Sequence, residues 1–120
     1  MANILAVDDS ASMRQMVTFT LQGAGHKVTV ADDGKQALDI AQRQSFDLVI
    51  TDVNMPVMDG LTLTRQLRQL ASFKFTPILV LTTEAGPEKK QEGRAAGATG
   101  WLIKPFNPEQ LLATVKKVLG

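Results

Sequence analysis

The chain has 120 residues, 44% of them hydrophobic, and its 13 Lys and Arg face 12 Asp and Glu for a formal net charge of +1. That length suits one compact domain spanning residues 1–120 and leaves no material for a second core, while the balanced charge excludes bulk attraction to nucleic acid. Without cysteine there is neither a disulfide framework nor a thiolate metal site, so a reducing cytoplasm is the expected compartment.

The first apolar run, Ile4 to Val7, stops at Asp8 and Asp9, too short for a signal or membrane segment. It reads as a strand, as do Val28 to Ala31, Leu48 to Thr51, Ile78 to Leu81 and Trp101 to Ile103, all rich in branched residues and too short for helices. Between the first two, Met13, Met16, Val17, Thr20 and Leu21 make an apolar helical stripe closed by Gly23. Ala37, Leu38 and Ala41 mark a second helix, Leu63, Leu67 and Leu70 a third, and Leu111, Val115 and Val118 the last. The stretch from Pro87 to Ala98 contains Glu88-Lys89-Lys90-Gln91-Glu92-Gly93-Arg94 and has almost no apolar stripe. It is expected to be a weakly anchored fourth helix, either a plain solvated surface or a partner-facing element. Strand and helix patterns that alternate along the whole chain predict βαβ units: a parallel sheet with helices on both faces.

In open sheets of this kind ligands bind beyond the carboxyl ends of the strands. The residues found there are Asp8-Asp9, then Asp52-Val53-Asn54, then Thr82-Thr83-Glu84, then Lys104-Pro105-Phe106. If the first, third, fourth and fifth strands are neighbours, carboxylates, a hydroxyl and an ammonium converge on one rim. Clustered carboxylates repel unless protonated or joined by a cation. Mg²⁺ suits Asp8, Asp9 and Asp52, since it takes a few carboxylates and completes its octahedron with carbonyl, water and phosphate oxygens. The single histidine, His26, is placed at the far end of the sheet as a turn residue. A carboxylate can attack phosphorus to form an aspartyl phosphate, and Asp52, alone at its strand end, is the nucleophile candidate. Lys104 and Thr82 can then hold phosphoryl oxygens. Taken singly, each residue is ordinary turn or surface chemistry; the combination carries the argument.

Four segments resemble one family, the receiver domains of two-component response regulators: Val7-Asp8-Asp9, Thr51-Asp52-Val53-Asn54-Met55-Pro56-Val57-Met58-Asp59-Gly60, Leu81-Thr82-Thr83-Glu84, and Gly97 to Phe106. They occur in family order over nearly the whole chain. The resemblance implies a flavodoxin-like, doubly wound, five-stranded parallel sheet with five helices. It also implies the strand order 2-1-3-4-5, the order of which the chemotaxis receiver is a known example. It further implies that Asp52 accepts a phosphoryl group from a histidine kinase, with Mg²⁺ on Asp8, Asp9, Asp52 and the Asn54 carbonyl. Thr82 and Trp101 would form the switch, Trp101 standing where the family usually has a smaller aromatic residue. A cis peptide bond before Pro105 is also suggested by the resemblance.

Because the chain ends at Gly120, output is expected to be phosphorylation-dependent protein binding by a monomer, without nucleic acid or membrane. Ser12-Met13-Arg14 and the Gly-Trp-Leu-Ile-Lys-Pro-Phe run look closest to the chemotaxis branch, whose partner is the flagellar motor switch and which is met by a phosphatase. A phosphorelay intermediate is the alternative. Lys89, Lys90, Arg94, Lys116 and Lys117 offer a basic face for an acidic or amphipathic partner. An aspartyl-phosphate phosphohydrolase would need a substrate cap that short loops do not supply. A flavin carrier would need a hydroxyl-rich phosphate loop after the first strand, and no Gly-x-Gly-x-x-Gly follows a strand.

Overall fold

The computed structural model describes residues 2–83 and 86–119. Five strands, β1 (Asn3–Val7), β2 (Lys27–Ala31), β3 (Leu48–Asp52), β4 (Ile78–Thr82) and β5 (Gly100–Ile103), alternate with α1 (Ala11–Gly23), α2 (Gly34–Arg43), α3 (Gly60–Arg68), α4 (Pro87–Ala96) and α5 (Pro108–Leu119). A 3-10 turn, Ala71–Phe73, precedes β4. All neighbouring strands pair in parallel, in the order β2-β1-β3-β4-β5. Each strand is one residue longer than its apolar run. The added residue is Asp52 in β3 and Thr82 in β4, so both side chains are fixed by a strand backbone rather than carried on a loop.

Alternation along β1 sends Ile4 and Ala6 to one face and Leu5 and Val7 to the other. The first pair packs with Val17, Leu21, Ile50, Leu111 and Val115, under α1 and α5. The second packs with Ala37, Ala41, Val49, Leu63, Leu67 and Phe73, under α2 and α3. Covering both faces is why β3 and β4 are buried at every position and why their sequences are apolar without alternation. Truncating a fully buried leucine such as Leu21 or Leu63 is expected to cost about 2–5 kcal/mol.

Helix entry is set by side-chain caps. Ser10 accepts from Met13 N–H, Asp33 from Gln36 N–H and Asp59 from Thr62 N–H, each satisfying an otherwise unpaired donor. Asn107 and Gln110 cap each other's backbone N–H groups at 2.9 and 2.8 Å, a reciprocal box that starts α5. Leu70 differs from expectation: α3 ends at Arg68, and Leu70 turns into the 3-10 segment while still packing on the core. The stripe on α1 is also narrower than expected, with Val17 and Leu21 buried and Met13 and Met16 half-covered.

The fourth helix is formed but thinly attached. No side chain among the described residues caps its start at Gly86, and of its residues Gly93 and Ala96 are buried. Its C-terminal end is held from α3 by the Arg68 guanidinium, which donates to Gly97 O at 3.0 and 2.8 Å, to Phe73 O and Thr76 O at 2.7 Å each, and to Thr99 Oγ1 at 3.3 Å. Gly97 closes the helix at φ 106°, the left-handed conformation that glycine adopts without penalty. No helix among the described residues is long and apolar enough to cross a membrane.

Candidate functional site at the carboxyl edge of the sheet

Parallel pairing brings the strand ends together. Val7 lies opposite Thr51, Asp52 opposite Leu81, and Thr82 opposite Ile103. Asp8, Asp52, Thr82 and Lys104 therefore share one edge, as the sequence reading requires. Carboxylate oxygens of Asp8, Asp9 and Asp52 all lie within 4.8 Å of one another. Asp8, Asp52 and Thr82 are buried, Asp9 is exposed and Lys104 is half-buried. Lys104 Nζ reaches over the cluster, 3.1 Å from Asp52 Oδ1 and 3.3 Å from Asp8 Oδ2.

The electrostatics follow from that crowding. Burial, foremost, pushes the Asp52 carboxyl above its ordinary value; Asp8 adds to the rise, while Lys104 and the Val53 N–H oppose it. Burial by itself would pull the Lys104 ammonium down, but its hydrogen bonds to Asp52 and Asp8 and their charges hold it above the ordinary lysine value. A buried ion pair usually lowers its carboxylate's pKa; here one ammonium shared between two carboxylates does not neutralise both. The rim therefore retains unbalanced negative charge.

Neighbouring groups orient the acids. Asp8 Oδ1 accepts from Ser10 N–H at 2.9 Å, and its carbonyl accepts from Arg14 Nη1 at 2.6 Å. Arg14 also pairs with Asp32 at 3.6 Å. Its role in holding the β1–α1 turn was not legible from the sequence, although its place one turn into α1 hints at it. Asp52 Oδ1 accepts from Val53 N–H at 3.0 Å, and the Asp52 carbonyl accepts from Thr51 Oγ1 at 2.9 Å. Gly60 was readable as a plain helix-entry glycine. A Cβ there would come within 2.0 Å of Asp52 O, so the bare α-carbon is what lets α3 abut the end of β3.

Asn54 stands two residues beyond Asp52, in the exposed β3–α3 connection. Thr82 lies at the end of β4 with its carbonyl accepting from Lys104 N–H at 2.7 Å. Glu84, named with Thr82 and Thr83 in the sequence reading, lies outside the described residues. Lys104–Pro105 is cis. Trp101 projects from β5 onto α4: a Cβ at Gly93 would lie 2.2 Å from the indole Cζ3. Its Nε1 is buried without a hydrogen-bond partner among the described residues. His26 is remote, accepting from Ala2 N–H at 3.2 Å where β2 begins. The broad groove between α1 and the β2 edge, lined by Met16, Phe19, Val28 and Val30, excludes the acidic residues.

Three converging carboxylates with oxygen donors only, under-neutralised by a single ammonium, fit a hard divalent cation. A flavodoxin-like parallel sheet with such an acidic, cation-seeking edge defines the class of protein. Comparison with known proteins makes it particular. Residues 4–116 match the response regulator receiver domain, and the chain belongs to that family. It is 39% identical over 116 residues to the chemotaxis protein CheY-3 of Vibrio cholerae, covering 96% of this chain and 89% of that one. It is 61% identical to the structure of the chemotaxis response regulator CheY4 of Vibrio cholerae, with a TM-score of 0.96 and 98% of each chain covered. At 31% identity and a TM-score of 0.92 it also superposes on the receiver domain of a sensor histidine kinase from Pseudomonas aeruginosa, described with a magnesium ion in the active site cleft, over 99% of this chain and 98% of that one.

Proposed function

We propose that this protein is a phosphorylation-switched response regulator in which Asp52 accepts a phosphoryl group from the phosphohistidine of a kinase. The observation that carries the reading is the Asp52 carboxylate at a strand end with Lys104 Nζ 3.1 Å away and Asp8 and Asp9 beside it. An oxygen of Asp52 forms the new bond to phosphorus while the phosphorus–nitrogen bond of the donor imidazole breaks, its electrons returning to the ring nitrogen. Lys104 and Thr82 are placed to hold the oxygens of the group once it has arrived. Mg²⁺ on Asp8, Asp9, Asp52 and the Asn54 carbonyl would supply neutralisation of the transferring charge.

The output is protein binding, in chemotaxis, with a flagellar motor switch as target; the names of the relatives support that branch over a general phosphorelay. A phosphatase would complete the cycle. The protein is not a turnover enzyme, its own chemistry being slow self-phosphorylation from small donors and self-dephosphorylation in the cytoplasm. Thr82 and Trp101 transmit the state of Asp52 to α4 and to the basic face of Lys89, Lys90, Arg94, Lys116 and Lys117. Support comes from Trp101 lying on Gly93, within the helix that carries three of those charges.

Incubation with Mg²⁺ and acetyl phosphate, followed by mass spectrometry, is expected to show one added phosphoryl group mapped to Asp52. Asp52→Asn should abolish it. Undiminished labelling of that variant at another residue would refute the site, and steady release of many phosphates per protein from a phosphomonoester would favour a phosphohydrolase.

A further inference from the structure

The connection between β3 and α3 is pinned at its base and strained at its tip. At the base, Gly60 N–H donates to Val53 O at 2.9 Å, and the Asp59 carboxylate, accepting from Thr62 N–H at 2.7 Å, fixes the entry to α3. At the tip, Met58 N–H donates to Pro56 O at 2.8 Å around Val57, whose φ is 71°. A three-residue turn with a positive central φ is a rare, strained γ-turn, and a branched residue in that region is an outlier that its surroundings must impose. Val57 is itself 78% exposed, so its own packing does not impose it. Beneath the next residue the loop closely approaches α2. Gly34, the first residue of α2, faces Met58: a Cβ there would lie 2.5 Å from Met58 O and 2.9 Å from Met58 Cβ.

We infer that Gly34 is a positioning residue for the cation-binding end of the site, acting through Met58 on the loop that carries Asn54. The inference rests on the reading of Asp8, Asp9, Asp52 and the Asn54 carbonyl as the Mg²⁺ site. Its logic is one of limited compliance. Any side chain at position 34 must open the contact with Met58 by about 1 Å to reach ordinary separation. The helix cannot easily retreat, because Ala37 and Ala41 are packed into the core and Asp33 caps its first turn at 2.8 Å. The base of the loop cannot move either, since Gly60 is seated on Asp52 O. The displacement is taken up between Asn54 and Val57, the stretch that carries the Asn54 carbonyl, while Asp52 stays at the end of β3 and Lys104 just beyond β5.

The test is a KM-against-kcat separation. In the full chain, Gly34→Ala is expected to weaken Mg²⁺ binding, measured by calorimetry, about tenfold. It should raise the Mg²⁺ concentration needed for half-maximal acetyl phosphate labelling by the same factor, yet leave the labelling rate at saturating Mg²⁺ within about twofold of wild type. Gly23→Ala, a helix glycine whose Cβ would meet nothing within 4 Å, is the control and should titrate as wild type. A folded Gly34→Ala protein with wild-type Mg²⁺ affinity overturns the inference, as does a loss of labelling rate that saturating Mg²⁺ does not restore. Should Gly34→Ala fail to fold, the double variant Gly34→Ala/Val57→Gly, whose turn is freed, is compared with Val57→Gly. Weaker Mg²⁺ binding in the double variant supports the inference, and equal binding overturns it. Absence of Mg²⁺ binding in the wild-type protein would instead remove the cation reading and this inference with it.

Discussion

Placing a methyl group at position 93 tests how Trp101 is held. In Gly93→Ala the new Cβ would fall 2.2 Å from the indole Cζ3 and 2.8 Å from Cε3, so ring and helix must part by well over 1 Å to regain ordinary contact. Two responses compete. If the ring stays, overpacking costs about 1–3 kcal/mol, offset by about 1 kcal/mol from replacing a mid-helix glycine by alanine; the protein is then destabilised by roughly 0–2 kcal/mol. If the ring swings outward, the same helix gain remains and the indole N–H, buried without a partner among the described residues, meets water, worth about 1–3 kcal/mol. Against this stands the loss of roughly 50–100 Å² of indole contact, about 1–2.5 kcal/mol. Rotation is therefore expected to win, leaving the variant between about 0.5 kcal/mol less stable and about 3 kcal/mol more stable than wild type. Trp101 is the single tryptophan, so its emission reports one site. The variant should emit at longer wavelength than wild type without any phosphodonor, and respond less when beryllofluoride and Mg²⁺ are added. Unchanged emission together with a stability loss above about 3 kcal/mol would refute the reasoning, because the indole would then be locked and α4 unable to yield.

Lys104→Ala removes the ammonium that now competes for Asp8 and Asp52. Mg²⁺ should bind several-fold more tightly in calorimetry while acetyl phosphate labelling slows, and weaker binding would show that Lys104 does not occupy the cation's field. Arg68→Lys replaces a fork that reaches Gly97, Phe73, Thr76 and Thr99 together by one point charge. A loss of about 2–3 kcal/mol in denaturant unfolding is expected, with faster amide exchange at residues 94–99; exchange confined to other segments would contradict the anchoring role. Thr82→Ala should leave Asp52 labelled yet suppress the phosphorylation-dependent change in Trp101 emission, and equal changes in both proteins would rule out coupling between Thr82 and Trp101.

Much of this molecule is local in origin. Runs such as Ile78-Leu79-Val80-Leu81 and the spacing of Leu63 and Leu67 follow from side-chain periodicity along contiguous residues, so the alternation of strands and helices was readable directly. The acidic edge was readable too, because in a parallel sheet every strand delivers its next residue to the same side, and Asp8, Asp52, Thr82 and Lys104 need only follow their apolar runs. Neighbour order was supplied by family resemblance, and the observed pairing agrees with it. Tertiary structure decided the rest. Leu70 leaves its helical spacing because packing on the core through a 3-10 turn outweighs continuation of α3. Val57 adopts a φ that its own branching disfavours, and Gly34, Gly60 and Gly93 turn from ordinary helix glycines into contact points with Met58, Asp52 and Trp101. None of these is encoded by neighbours along the chain. Each depends on how closely two backbones far apart in sequence approach, a distance that exists only once the sheet has assembled.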